Sequence, residues 1–409
     1  MAALSFYNGY KGGWVVIHKD HYGNLYPPEG GIYRPMNIDF RLQRNDAHDI
    51  TYDLAKAEPT MQWGFVGPYR TEWELWRDDF LVASGWHTQV ITKKGEEAVH
   101  IAGKGYLNYL QVRHYPFNPQ DTNAFVGGDI HLSTFQGVSP AYHRTDDVAI
   151  VIAEVLQKIL DRPNSMNIRI GNPVDGLGIT GETHTLEIPL GDTTFVYDYI
   201  SQLSQLHPGF DFACDIHQAE GGGAPPEFYI MSPYRFGDFG TEKPQPGDCM
   251  FIFDDKNHPF DVTDIEFDNS GPAMTHILAM GQGVAGDLGI ALSYDQSESI
   301  FYRLDGTMNS SLVLTKKHIE SLAQSQLSHD LHPQHLIPVQ LRPDEIENFW
   351  QLCQPGELIW CDFDFGAQHI ANAMIINQIH GTINNQGDET IELAVEDIYQ
   401  LGRPGTVRG

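Results

Sequence analysis

The side chains in this sequence best suited to chemistry are its histidines and carboxylates. His329, His332 and His335 place three imidazoles within seven residues. His329 and His332 would share a metal if the segment were helical, but Pro333 interrupts any such helix and no zinc-ligand spacing is matched. Asp215 with His217, and Asp129 with His131, each put an acid and an imidazole on one face of an expected strand. The ordinary reading of both is a half-exposed strand. Asp254-Asp255 and the run Asp261, Asp264, Glu266, Asp268 supply paired carboxylates. A glycosidase needs a set separation in space, which spacing in sequence does not carry. Calcium is the other candidate for the run, yet EF-hand spacing and its glycine are missing.

Gly176-Leu-Gly178-Ile-Thr-Gly181 matches G-x-G-x-x-G in form. Pyrophosphate binding needs a strand before that turn and a helix after it, whereas residues 182–189 alternate like a strand. The motif reads as a glycine loop. G-x-S-x-G, H-E-x-x-H, a G-K-[ST] loop and S-x-x-K are all missing. No residue is therefore assigned as catalytic, cofactor-binding or metal-ligating, and a structural or binding role is favoured over an enzyme.

The elements that would position these groups are mostly strands. Trp14–His18 reads as a short strand in a Gly-, Pro- and Tyr-rich arm. Thr71–Arg77 and Phe80–Trp86 form a hairpin around Asp78-Asp79, and Gln89–Thr92 and Ala98–Ala102 form another around Lys93-Lys94-Gly95-Glu96. Such a meander implies an antiparallel sheet or small barrel. Asp146–Leu160 carries Val148, Val151, Ile152, Val155, Leu156 and Ile159 on one helical face, with two acids at its positive end. Helices are also expected over Thr194–Leu206, Thr315–Leu327 and Pro343–Leu352. Strands are expected over Phe210–Ile216, Glu227–Ser232, Leu358–Phe363, Ala373–His380 and Thr390–Val395.

The chain is thus expected to be a β-rich α+β protein, with antiparallel barrel-like β-domains and a helical α+β unit between them. Three units are drawn. An N-terminal arm and barrel-like domain covers 1–140, an α+β domain 141–245, and a C-terminal β-rich domain with two helices 246–409.

With 409 residues, 41% of them hydrophobic, the chain can bury several cores. Its 25 Lys and Arg against 54 Asp and Glu leave a net charge of −29. That excludes sequence-specific nucleic-acid binding, which draws its affinity from cationic side chains on phosphates. Residues 211–300 alone hold 16 acids and 3 bases, a net of −13. The four cysteines lack C-x-x-C spacing, the first residues lack a signal peptide's basic start and apolar core, and no run nears the ~18–20 apolar residues of a membrane helix. A chain made in the cytosol, without stable membrane insertion, is expected.

Trp63, Trp73, Trp76 and Trp86 fall within 24 residues. Alternation puts Trp73 and Trp76 on opposite faces of one strand, so a second subunit is expected over one of those faces.

Trp73-Glu-Leu-Trp-Arg-Asp-Asp79 followed by Leu81-Val-Ala-Ser-Gly-Trp86 resembles a hairpin in tail proteins of long-tailed bacteriophages, which runs E-L-W-R-D, turn, L-V-x-x-G. In those proteins a strand then ends near Leu-x-x-R, where this chain has Tyr109-Leu-Gln-Val-Arg113. Pro355-Gly-Glu-Leu-Ile-Trp360, Ile375–His380 and Asn385-Gln-Gly-Asp-Glu-Thr-Ile-Glu-Leu393 are similar to the closing β-unit of central tail-hub proteins. Glu357 replaces the usual Asp there, and Asn377 lies near the usual Arg. The resemblance runs from about Trp63 to Val395.

It implies a virion protein without enzymatic activity or cofactor, made in the host cytoplasm. It also implies a homotrimeric ring whose two β-domains per subunit mimic six-fold symmetry. That ring would join the tail tube and distal tail protein to the tip or receptor-binding apparatus. If DNA traverses the ring, the carboxylates of 211–300 are expected at the channel, where like charge prevents sticking. The rival readings are a tail-associated carbohydrate-active enzyme, and a glycan-binding adhesin with the Trp63–Trp86 aromatics as its platform.

Overall fold

The computed structural model describes residues 13–20, 22–26, 31–56, 68–78, 80–115, 142–161, 165–171, 183–188, 194–204, 210–216, 225–231, 245–254, 262–265, 276–282, 288–294, 305–313, 319–320, 323, 327, 337–341, 349–364 and 369–397. The N-terminal strands are β1 (Trp14–Asp20), β2 (Ile32–Tyr33), β3 (Ile38–Gln43), β4 (Asp49–Ala55), β5 (Thr71–Arg77), β6 (Phe80–Thr92) and β7 (Ala98–Gly105), followed by the short helix α1 (Asn108–Gln111). The middle contains β8 (Tyr142–Asp147), α2 (Val148–Leu160), β9 (Arg169–Ile170), β10 (Thr183–Ile188), α3 (Val196–Ser204), β11 (Asp211–Asp215) and β12 (Glu227–Met231). Then come β13 (Phe251–Asp254), β14 (Val262–Ile265), β15 (His276–Gln282), β16 (Leu288–Tyr294), β17 (Asp305–Val313), β18 (Ile337–Leu341), β19 (Leu358–Asp364), β20 (His369–Ile383) and β21 (Glu389–Asp397).

A 13-stranded sheet dominates, in the order β14-β18-β21-β20-β3-β4-β7-β6-β5-β1-β2, with β19 on β20 and β13 on β19. It is antiparallel except for the β13–β19 pair. The β3–β20 ladder, Ile38↔Ile383 to Gln43↔Gln378, joins N-terminal strands to C-terminal ones. The sheet curls on itself. Four strands separate β3 from β1 in the order, yet the Trp14 and Phe40 rings are 5.3 Å apart. One apolar core fills the interior, with Trp73, Leu75, Phe40, Ile101, Ile359, Ile379 and Leu393 among its residues. The architecture is the β-rich, mainly antiparallel, barrel-like one expected, with few and short helices.

The middle α2 has the expected apolar face, buried at Val148, Val151, Ile152, Val155, Leu156 and Ile159. It begins two residues later than expected because β8 runs to Asp147, whose carboxylate caps the helix by accepting from the Ala149 N–H at 2.9 Å. Helix α3 buries Val196, Tyr199, Ile200 and Leu203. Both helices share a second core with α1, β11, β12 and the helical Ile319, Ala323 and Leu327.

Some boundaries differ. Phe80–Trp86 and Gln89–Thr92 form one 13-residue strand, because a bulge between His87 and Gln89 reverses the alternation midway. Strand β7 ends at Gly105, shortly before Tyr109 to Arg113, where α1 lies. Trp14 is not in a free arm: β1 pairs with β5 from Trp14↔Arg77 to Asp20↔Thr71.

Candidate functional site: buried polar networks and a junction turn

Three polar groupings stand out, and each joins strands distant in sequence. The first lies inside the barrel, where alternation brings His18, Thr71, Tyr52 and His87 inward from β1, β5, β4 and β6. The Tyr52 hydroxyl is 2.5 Å from His18 Nε2 and 2.7 Å from His87 Nε2. His87 Nδ1 lies 2.8 Å from Thr71 Oγ1 and 3.1 Å from the Thr71 carbonyl. A carbonyl only accepts, so His87 Nδ1 carries the proton. Nε2 of His87 then accepts from the Tyr52 O–H, and Tyr52 in turn accepts from His18 Nε2–H. Every member is shut away from solvent, so the chain orients strands and offers no reagent a route in.

Burial holds both imidazoles neutral. It pulls His18 well below its ordinary value, helped by the neighbouring His87, and pulls His87 down to about 3. Unfolding therefore takes up protons as pH falls below 6.5. Glu72 opposes this between 4.5 and 7, because burial raises its carboxyl to about 7. Two imidazoles against one carboxyl leave the unfolded chain with the larger proton uptake within that window. Stability should thus fall as pH drops from 6.5 toward 4.5, because two neutral imidazoles outweigh one protonated carboxyl. Denaturant titrations across that window check this; a stability that rises toward pH 4.5 would show the imidazoles charged in the fold.

The second grouping occupies the opposite face of β1 and β5. Lys19 pairs with Glu74, their side chains 8% and 2% exposed. Trp76 Nε1 donates to Glu74 Oε2 at 2.9 Å, and the Tyr106 hydroxyl donates to Glu72 Oε2 at 3.1 Å. Val15, Ile17 and Trp76, with Leu25, Ile32 and Leu81, form an apolar cluster on this face.

The third is the β3–β4 turn. Arg44 Nε and Nη2 reach Asp211 Oδ1 at 2.8 and 2.7 Å, and Asn45 Nδ2 reaches the same oxygen at 3.1 Å. Asn45 takes φ 55°, a left-handed conformation that asparagine tolerates. Its Oδ1 accepts from the Phe212 N–H at 2.8 Å, and its carbonyl accepts from Tyr197 at 2.9 Å. On the other side, the Arg44 N–H donates to the Asn377 carbonyl at 2.9 Å, and Asn377 Nδ2 donates to Glu396 at 2.5 Å. This one turn therefore ties the N-terminal sheet, the middle unit and the C-terminal strands together. Asn377 stands near the arginine position of the resembling family, and here Arg44 brings a guanidinium 3.4 Å from its Oδ1.

Several sequence candidates lie outside the described residues: the histidines 329–335, Asp129 and His131, His217, Asp255, residues 176–181 and Trp63. A strand, β10, follows 176–181 where a nucleotide site needs a helix. Asp215 does meet an imidazole, but that of His48, at 3.5 Å. His48 Nδ1 accepts from the Gln43 N–H, so Nε2–H faces the acid. Asp254 is buried at the end of β13. Among the described residues, no group of three or more His, Cys, Asp or Glu is placed to hold a metal ion, and no helix is long and apolar enough to cross a membrane.

The tryptophans require a correction. Trp73 and Trp76 do face opposite sides of β5, but both are buried by the chain itself, as is Trp86. Val15, Ile17 and Leu81 cover Trp76, so no second subunit is needed there. These three rings offer no open platform for a sugar. His18, Lys19, Glu74 and Arg44 went unmarked in the sequence; a charged Lys19 two residues beyond the apolar Ile17 on one strand face was the available signal.

The fold is shared with proteins of known structure along almost its whole length. The tail protein from Neisseria meningitidis MC58 matches with a TM-score of 0.55 at 11% identity, over 95% of this chain and 98% of its own. The 43 kDa tail protein of prophage MuSo2 from Shewanella oneidensis gives 0.55 at 11%, over 95% and 100%. No protein-family model and no curated protein sequence matches. The chain thus has the fold of bacterial prophage tail proteins, as its hairpin and closing β-unit suggested.

Proposed function

We propose that this chain is a non-enzymatic structural protein of a bacteriophage tail tip. Copies form a hub ring, a homotrimer, which joins the tail tube and distal tail protein to the tip or receptor-binding apparatus in the virion. The whole-length fold match to two tail proteins carries this reading. The division at residues 140 and 245 belongs to the same proposal, with the first and third units sharing one sheet through the β3–β20 ladder.

The packed interior constrains how such a ring would pass DNA. Trp73, Phe40 and Leu75 fill the barrel, so a channel would run between copies and not through one chain. The charge facing it would come from acids of 211–300 other than Asp211 and Glu227, which pair with Arg44 and Arg169.

Light scattering of the purified chain at low and high salt tests the ring. A trimer that persists at high salt is expected, since a ring held by apolar contacts is weakly screened. A monomer at both salts would count against self-assembly.

A further inference from the structure

We propose that Lys19 and Glu74 condense into an intramolecular amide, a covalent cross-link between β1 and β5. The Lys19 Nζ lies directly against Glu74 Oε1, and both side chains are almost wholly buried. Val15, Ile17 and Trp76, with Leu25, Ile32 and Leu81, form an apolar cluster on the same strand face. Condensation removes two opposite charges from a buried site where each is costly to hold. The strand pairing holds them at an effective concentration no bimolecular encounter approaches.

Two further groups supply what the reaction needs. Glu72 stands directly opposite Lys19 in the β1–β5 register and two residues from Glu74 on the same face. Its carboxyl, raised to about 7 by burial, exchanges a proton readily near neutral pH. Trp76 Nε1–H points at Glu74 Oε2 from 2.9 Å, where negative charge develops as an amine adds.

The steps balance without any outside reactant. Glu72 carries one proton from the Lys19 ammonium to Glu74 Oε1, so a neutral amine faces a neutral acid. The amine lone pair attacks Cδ, the Nζ–Cδ bond forms, and charge collects on Oε2 against the Trp76 N–H. Glu72 then moves a second proton from Nζ to Oε1. The Cδ–Oε1 bond breaks and Oε1 leaves as water. Ammonium and carboxylate become amide and water, and Glu72 is regenerated. The cross-link would fasten β1, whose other neighbour is only the two-residue β2, to the sheet against a pull along the chain.

Mass spectrometry of the full chain under denaturing conditions decides the matter without any variant. The expected mass falls short of the sequence by one water. A tryptic digest should yield the segment 71–77 joined to an uncleaved Lys19, with fragment ions placing the bond on Glu74. A full sequence mass, with Lys19 and 71–77 recovered as separate linear peptides, would overturn the proposal. Glu72→Gln should restore the full mass while the chain still folds by circular dichroism. A folded Glu72→Gln chain that still lacks one water would overturn the role given to Glu72.

Discussion

Replacing Asp211 with alanine should destabilise the protein by about 3–5 kcal/mol, measured by denaturant unfolding near neutral pH. The Arg44 side chain is only 10% exposed, and both nitrogens that reach Asp211 would lose that acceptor. Asn45 Nδ2 would lose the same oxygen. A largely buried cation that loses this counter-charge costs more than the intact pair was worth, because its desolvation is less fully offset. Since the turn also binds the Phe212 N–H and the Asn377 carbonyl, the effect should reach the middle unit and the C-terminal strands together. Arg44→Met/Asp211→Leu should recover much of the loss. A change below about 1 kcal/mol for Asp211→Ala would show the turn solvated and the junction held elsewhere.

Gly381→Ala should cost about 3 kcal/mol or more, at the upper end of overpacking penalties. Gly381 pairs with Phe40 across the β3–β20 ladder, and a Cβ there would lie 2.2 Å from the ring's Cζ and 3.0 Å from Ile391 Cδ1. Phe40 cannot withdraw, since it packs against Trp14 at 5.3 Å and Trp350 at 5.8 Å. Either the ring or the ladder must shift, and the ladder is what joins N-terminal and C-terminal strands. Gly247→Ala is the matched control, because a Cβ there meets nothing within 4 Å. If both substitutions unfold at the same denaturant concentration, the seam is looser than its geometry indicates.

Local patterns were legible and long-range ones were not. Helix α2 could be read because six apolar residues share one face and Asp147 caps it, all within one segment. The β5–β6 hairpin could be read from alternation around Asp78-Asp79. Strand β6 looked like two because the bulge at His87 shifts the inward positions by one. Alternation also put Trp73 and Trp76 on opposite faces correctly. What covers Trp76 comes from β1, paired to it at Val15, and periodicity holds no information about that. The site suffered most from this. Arg44 and Asp211 are 167 positions apart, and His18, Tyr52 and His87 come from three strands that meet only once the sheet has curled. The tail-protein resemblance bridged part of that gap because its motifs sit in short hairpins, which keep their form where distant pairings cannot be seen.

A place in the tail tip would show in a cryo-electron reconstruction of tails purified from cells expressing the whole particle. Three copies of this fold are expected around the tail axis, between the end of the tube and the tip, with the channel running between the barrels. Tails that are complete and infective without this chain, or that carry it only as single copies on the periphery, would contradict it.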